Sequence, residues 1–472
     1  MKTIKDTDFF ETLKHSSNYI SAHIATIALS FISIPVFTRL FTRADYGIFS
    51  IFNIYVMIMT VILTLNSHTA VSRYYYEKTD DFDAFVGSTF IFVGPIFTAT
   101  VVIVMLFYKQ ITSLIYLPKM LPVYLLFACL FNIIYSIYNQ ILIPQKRSRE
   151  VANISILKGY AGFGISVLFV YMLKENRYLG KIWGILLIDS IFSVYFIIMM
   201  SQFLKFSFKI RHIKYIIIYS FPLIAYELGS IILLQLDTIM INKMIDASAA
   251  GLYSLGYNIA IPLIFVIDST QRALIPDFFI LYKKKEYNRL NVLTKQIFSV
   301  VLTVALAAII FIKEILMILA DRKFYPSLGI VPIVIIGFIF YGMTTVYNRY
   351  ILYDKKTFYL SVTVLLSAVL NILLNMIYIP RYGYIAAAYT TVASYFFMFF
   401  ITWMVVKIIL RKETTPLLMI WEPFLIMLFF IGVVYFISLL KLNSILFLSI
   451  KFIVLAAFCL IVFHREIKGI FK

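Results

Sequence analysis

Any chemistry in this chain has to come from a few ionisable residues set inside long apolar stretches. Glu227 and Asp237 share one stretch with Pro222, and Asp268 and Arg272 lie four residues apart in the next. On a helix that spacing puts Asp268 and Arg272 on one face, where they pair or line a cavity together. Asp189 and Arg349 fall in two further stretches, and Arg39, His68, Arg73 and Lys243 stand at the ends of others. A charge at membrane depth is costly, so such residues face a cavity or a partner and mark a path for an ion or a substrate. The cations Arg272, Arg73, Arg39, Arg349, Lys243 and His68 suit an anionic group such as a phosphate or pyrophosphate, because a desolvated ionic hydrogen bond is strong. The acids Glu227, Asp237 and Asp268 suit a coupling ion or the balance of nearby cations.

A plainer reading stands beside each. Arg39, Lys243 and Arg349 also read as interface anchors that snorkel to water. Arg73 precedes Tyr74-Tyr75-Tyr76 and also reads as part of an aromatic belt. Asp268 and Arg272 also read as a neutralised structural pair. Lys158, Lys295 and Lys451 read as snorkelling lysines. Glu227 lies well inside its stretch and is the hardest to explain as an anchor.

Catalytic motifs are missing. There is no Gly-x-x-x-x-Gly-Lys-Ser/Thr, no His-Glu-x-x-His and no Gly-x-Ser-x-Gly, so neither ATP hydrolysis nor these hydrolytic chemistries are expected of the chain itself. The five histidines show no metal-ligand spacing, and Cys129 and Cys459 sit far apart in apolar runs, as small core residues do. No cofactor, metal or catalytic residue is expected.

The elements that must hold these residues are membrane spans. The 472 residues are 62% hydrophobic and 14% charged, with a mean hydropathy of +0.93. Soluble domains carry roughly 45–50% apolar and about 25% charged residues. A soluble fold could not hide this surface, whereas a bilayer is itself an apolar solvent. The pattern predicts an all-α polytopic protein of about fourteen spans, running from 17–38 to 442–463. The span at 296–319 is interrupted by Lys313 and Glu314, and the last pair is separated by a very short loop. The first apolar run lacks a small-residue cleavage site and reads as a retained helix. No loop between spans is long, which argues against a receptor ectodomain and against polymerases or ligases that carry a large external loop.

The net charge of +19 belongs in the loops as an orientation signal, not as a nucleic-acid footprint. Counting Arg272 and Arg349 with the loops that follow them, 26 Lys and Arg residues fall in the termini and even-numbered loops and 12 in the odd-numbered loops, with Lys158, Lys295, Lys313 and Lys451 inside the stretches. That bias places both termini in the cytoplasm. The midpoint segment Phe203–Tyr215 mixes basic and apolar residues and suits an interfacial amphipathic helix.

A shift of 204 residues lays Gly47-Ile48-Phe49-Ser50-Ile51 on Gly251-Leu252-Tyr253-Ser254-Leu255, and Arg39 on Lys243. This divides the chain into a six-helix bundle at 1–203, an amphipathic cytoplasmic linker at 204–214, a second six-helix bundle at 215–410, and two added helices with a cytoplasmic tail at 411–472. Two parallel repeats facing each other would enclose a cavity and could alternate in access.

Pro35-Val36-Phe37-Thr38-Arg39-Leu40, followed by Asp45-Tyr46-Gly47-Ile48-Phe49, resembles the first-loop motif of Wzx-type polysaccharide-repeat flippases. These belong to the multidrug/oligosaccharidyl-lipid/polysaccharide exporter superfamily. Asp237-Thr238-Ile239-Met240-Ile241, Gly251 through Tyr257, Ala273-Leu274-Ile275-Pro276 and Asn371 through Ala388 continue the resemblance over the whole chain. The resemblance implies a MATE-like fold of two bundles around a cationic cavity in the bacterial inner membrane. It implies movement of undecaprenyl-pyrophosphate-linked oligosaccharide for O-antigen or capsule, coupling to protons or sodium, and glycan polymerase partners. The alternatives are a cation-coupled multidrug exporter of the same superfamily and a surface-glycan polymerase or ligase.

Overall fold

A chain surrounded by lipid must satisfy its backbone hydrogen bonds internally, and helices do so within one segment. The computed structural model describes Ser21 and residues 25–77, 79–440 and 442–464, and among them it is helical with no strand. Thirteen helices are long and apolar enough to cross a membrane. A further apolar helix, α1 (Ala25–Leu40), covers the end of the first expected span. The start of that span, the polar N-terminus and the final residues lie outside the described residues. The chain is a multi-pass integral membrane protein.

By its internal contacts the chain forms two compact units, Met1–Gly251 and Leu252–Lys472. The first contains α1, α2 (Arg43–Thr64), α3 (Ser67–Glu77), α4 (Phe82–Leu106), α5 (Tyr108–Ile115), α6 (Leu121–Leu142), α7 (Ser148–Met172), α8 (Arg177–Met200) and α9 (Ile210–Met244). Thr42 starts α2 with a reciprocal cap: its hydroxyl accepts from the Asp45 backbone N–H at 3.0 Å, and the Asp45 carboxylate accepts from the Thr42 N–H at 3.0 Å. Left-handed Leu65 and Asn66 then end the helix. Helix α9 packs on α2, α3 and α4 and so belongs to this unit.

The boundary between units falls inside α10 (Ala247–Ala260). The second unit continues with α11 (Pro262–Lys283), α12 (Tyr287–Ile310), α13 (Ile312–Leu319), α14 (Val331–Tyr353), α15 (Phe358–Tyr382), α16 (Tyr384–Met404), α17 (Leu417–Ser438) and α18 (Ser444–Val462). Its most buried helix is α14, packed by α11, α12 and α16.

The repeat is written into the element bounds. Helix α4 breaks at Phe107 before α5, and 204 residues later α12 breaks at Phe311 before α13. The ends of α1 and α9, and the starts of α2 and α10, differ by the same 204. The register slips at α14 because a 3-10 stretch, Arg322–Gly329, lengthens the connection before it. It returns at the end of α16.

Two expectations are corrected. The span at 296–319 is shifted: the crossing helix is α12, and Lys313 and Glu314 lie on the separate short helix α13. Residues Phe203–Tyr215 form no helix of their own. Leu204–Lys209 is irregular, and Ile210 opens α9.

Candidate functional site

The first unit holds a chamber of about 500 Å³. Helix α7 presents Ser155, Lys158, Gly159, Gly162, Phe163 and Ser166 to it, at the three- and four-residue steps of one helix face. Helix α8 presents Lys181, Ile185 and Asp189, four residues apart. The two helices can lie this close because of two glycines. A Cβ on Gly184 would fall 2.5 Å from the Ser166 backbone, and one on Gly180 would fall 2.6 Å from the backbone nitrogen of Val170. Arg177 fixes the start of α8 by donating to the carbonyls of Leu40 at 2.7 Å and Leu173 at 3.1 Å.

Two lysines meet different fates in this chamber. Lys158 pairs with Asp189 at 3.1 Å and lies 4.4 Å from the centre of the Tyr135 ring. This corrects the reading of Lys158 as a snorkelling anchor. Lys181 has no carboxylate within ion-pair distance among the described residues. Its Nζ lies 3.8 Å from the Phe37 ring centre and 4.0 Å from that of Phe49. Taking an unpaired ammonium out of water costs several kcal/mol. A ring face returns about 0.5–2 kcal/mol, so the two rings offset only part of the cost.

The other two anchor readings are corrected in the same way. Lys295 on α12 pairs with Glu422 on α17 at 2.7 Å, and the buried Lys451 on α18 pairs with Glu314 on α13 at 2.7 Å. A second charge cluster joins Asp81, outside the spans in the turn between α3 and α4, to the start of α9. Asp81 accepts from Lys209 at 2.7 Å, meets Nε2 of the fully buried His212 at 2.8 Å, and pairs with Arg211. The Lys209 hydrogen bond, aided by His212 and Arg211, holds the Asp81 carboxyl well below the usual carboxylate range against a smaller opposing effect of burial.

The residues singled out in sequence stand as follows. In the second unit Arg349 is 3% exposed. None of its three guanidinium nitrogens has a hydrogen-bond partner among the described residues. Its guanidinium carbon sits 5.5 Å from the Phe278 ring centre. Asp268 accepts from the Tyr341 hydroxyl at 3.0 Å and closes no ion pair with the exposed Arg272. In the first unit, exposed Arg73 pairs with Glu77 at 2.5 Å, and Glu77 also accepts from Tyr215 at 2.8 Å. Exposed Arg39 donates to the Pro35 carbonyl at 2.9 Å. Lys243 lies 5.4 Å from the Tyr116 ring centre. His68 is half-buried, with Nδ1 unpartnered among the described residues. Asp237 is fully buried, and Glu227 is exposed along α9.

Sequence reasoning passed over Lys181 and misread Lys158. The available signal was the Lys181, Ile185, Asp189 stripe, a single helix face with a charge at each end.

Residues 12–282 match a family model described as polysaccharide biosynthesis protein. The Lsg locus putative protein 1 of Haemophilus influenzae is 22% identical over 286 residues, covering 58% of this chain and 68% of that one. A solved structure of the lipid II flippase MurJ, in an inward closed conformation, superposes with a TM-score of 0.76 at 18% identity, covering 95% of this chain and 99% of that one. An inward-facing multidrug resistance MATE family transporter of the MOP superfamily superposes with a TM-score of 0.64 at 11% identity, covering 84% of this chain and all of that one. The fold is therefore MurJ/MATE-like.

Proposed function

The chain belongs to the polysaccharide biosynthesis protein family, and from that premise we propose that it is a flippase that moves lipid-linked oligosaccharide repeat units across the bacterial cytoplasmic membrane by alternating access. The observation that carries this reading is the likeness of nearly the whole chain to the fold of a lipid II flippase. The donor lipid is an undecaprenyl pyrophosphate, the glycan serves O-antigen or capsule, and both termini lie in the cytoplasm.

The pyrophosphate needs cations that are not already neutralised. Arg349 fits that need best, since its fork of donors is buried without an acceptor among the described residues. Arg272 is the second choice. In the first unit Lys243 and His68 are candidates for the same role, whereas Arg39 donates to the Pro35 carbonyl and Arg73 is held by Glu77. Glu227, Asp237 and Asp268 carry the coupling ion, a proton or sodium, or balance the cations. Bound pyrophosphate drives the cycle only by favouring one facing state over the other.

The test is a deletion strain complemented with variants, with lipid-linked repeats measured separately in each leaflet. The deletion accumulates single repeats in the cytoplasmic leaflet. Arg349→Ala, at equal membrane level, lowers export at least tenfold, and Arg349→Lys restores part of it. Normal export by Arg349→Ala would remove that residue from the role. Accumulation of translocated but unpolymerised repeats would instead point to a polymerase. The likeness to a MATE transporter supports a second reading, a cation-coupled multidrug exporter. Raised resistance to toxic organic cations on expression, with glycan export unaffected by deletion, would select it.

A further inference from the structure

The chamber lined by α1, α6, α7 and α8 belongs to the first unit alone and contains none of the residues proposed above for headgroup or ion. Its volume of about 500 Å³ lies within the range of small-ligand sites, roughly 300–1,000 Å³. Its lining combines three kinds of group. Ser30, Ser33, Ser155, Ser166 and Asn132 supply short polar side chains. Phe37 and Phe163 supply apolar faces and stand edge to face, with ring centres 5.9 Å apart. Lys158, Asp189 and Lys181 supply charge.

The charges decide the ligand. Lys158 and Asp189 neutralise each other at 3.1 Å. Lys181 is left as one positive charge with no carboxylate at hand among the described residues, held by the faces of Phe37 and Phe49. Aromatic faces fix the position of an ammonium but do not neutralise it, so the chamber keeps a net attraction for a single negative charge. Hydroxyl and amide side chains around an aromatic wall suit a ligand that is itself rich in hydroxyls. A phosphate dianion would find one cation where it needs two. A carboxylate-bearing sugar offers one negative charge and a ring of hydroxyls.

We infer that this chamber binds a carboxylate-bearing sugar unit, with the Lys181 ammonium donating to the carboxylate and the Lys158–Asp189 pair orienting the ring hydroxyls. The inference rests on the flippase reading and sharpens it, because it makes acidic repeat units the preferred cargo.

The experiment uses the full-length protein in lipid nanodiscs, titrated with glucuronate and, separately, with glucose. The expected result is binding of glucuronate at least tenfold tighter than glucose, with that preference lost in Lys181→Met. Equal binding of the two sugars by the wild-type protein overturns the inference. A preference that survives in folded Lys181→Met overturns the role of Lys181. If Lys181→Met does not fold, the wild-type protein is labelled with an amine-reactive reagent and read by mass spectrometry. Slower labelling of Lys181 under glucuronate, but not under glucose, supports the site, and unchanged labelling overturns it. Proteoliposome flipping of lipid-linked repeats separates this inference from its premise. Flipping with no glucuronate preference removes the inference alone, whereas glucuronate preference with no flipping removes the flippase reading and leaves the sugar site.

Discussion

Lys158 sits where a snorkelling lysine would be expected, yet its charge turns inward to Asp189. Removing one member of a buried pair strands the other, at a cost of about 3–5 kcal/mol. Lys158→Ala should therefore lower the thermal unfolding temperature of the purified protein far more than Lys158→Met combined with Asp189→Leu, which removes both charges. Equal losses would show that the pair is not coupled. Asp81 makes the converse case, outside the spans. Its carboxyl is held low chiefly by Lys209. A depressed native value means that the stabilisation is complete above the unfolded value of about 3.9 and fades as the pH falls below it. Asp81→Asn should lower the unfolding temperature at pH 7 and flatten its decline below about pH 4. A variant whose acid limb runs parallel to the wild type would argue against this linkage. These pairings were not legible in sequence because their members are far apart along the chain. Asp81 reaches Lys209, Lys295 reaches Glu422, and Lys451 reaches Glu314. The charge type was visible, but the partner was set by tertiary packing. The i, i+4 reading of Asp268 and Arg272 placed both on α11, and there Asp268 chose Tyr341 instead.

The α7–α8 hairpin depends on two glycines whose effect no composition reveals. A methyl at Gly184 would press on the backbone of α7 around Ser166, which cannot rotate away as a side chain could. Gly164, on the same hairpin, has nothing within 4 Å of such a methyl. Overpacking costs about 1–3 kcal/mol, while replacing an open helical glycine with alanine gains up to about 1 kcal/mol. Gly184→Ala should thus destabilise and Gly164→Ala should leave stability unchanged or raised, as read by unfolding temperature. The same sign for both would contradict the packing. Gly47 and Gly251 show how much the repeat foretold. They were matched through their neighbours at a shift of 204, and the structure packs them backbone to backbone, with a Cβ on Gly47 falling 2.9 Å from the Gly251 nitrogen. Helix existence followed from apolar length. Helix ends followed less closely: the expected span at 296–319 ran through the break at Phe311, although Lys313 and Glu314 stand just beyond it.

At the scale of the whole molecule, apolar content alone required a bilayer, and the crossings bear that out. Orientation rests on different physics. Lys and Arg resist translocation when they lie close to a span, so they collect on the cytoplasmic side. The sharpest contrast that does not depend on the N-terminal helix is between two connections. Lys283-Lys284-Lys285 follows α11, and Lys174-Glu175-Asn176 joins α7 to α8. Three crossings separate them: α8, α9, and the continuous α10–α11 stretch Ala247–Lys283. An odd number of crossings puts the two connections on opposite faces whatever the orientation, and the lysine triplet should hold its side in the cytoplasm. The measurement starts from a protein whose Cys129 and Cys459 are replaced by serine. Glu175→Cys and Lys284→Cys are then introduced singly. A membrane-impermeant maleimide applied to intact cells should label the cysteine at 175 and spare the one at 284 until the cells are opened. The reverse pattern would invert the molecule and overturn the cytoplasmic placement proposed for its termini. Labelling of both positions in intact cells would mean that one of the three intervening helices does not cross.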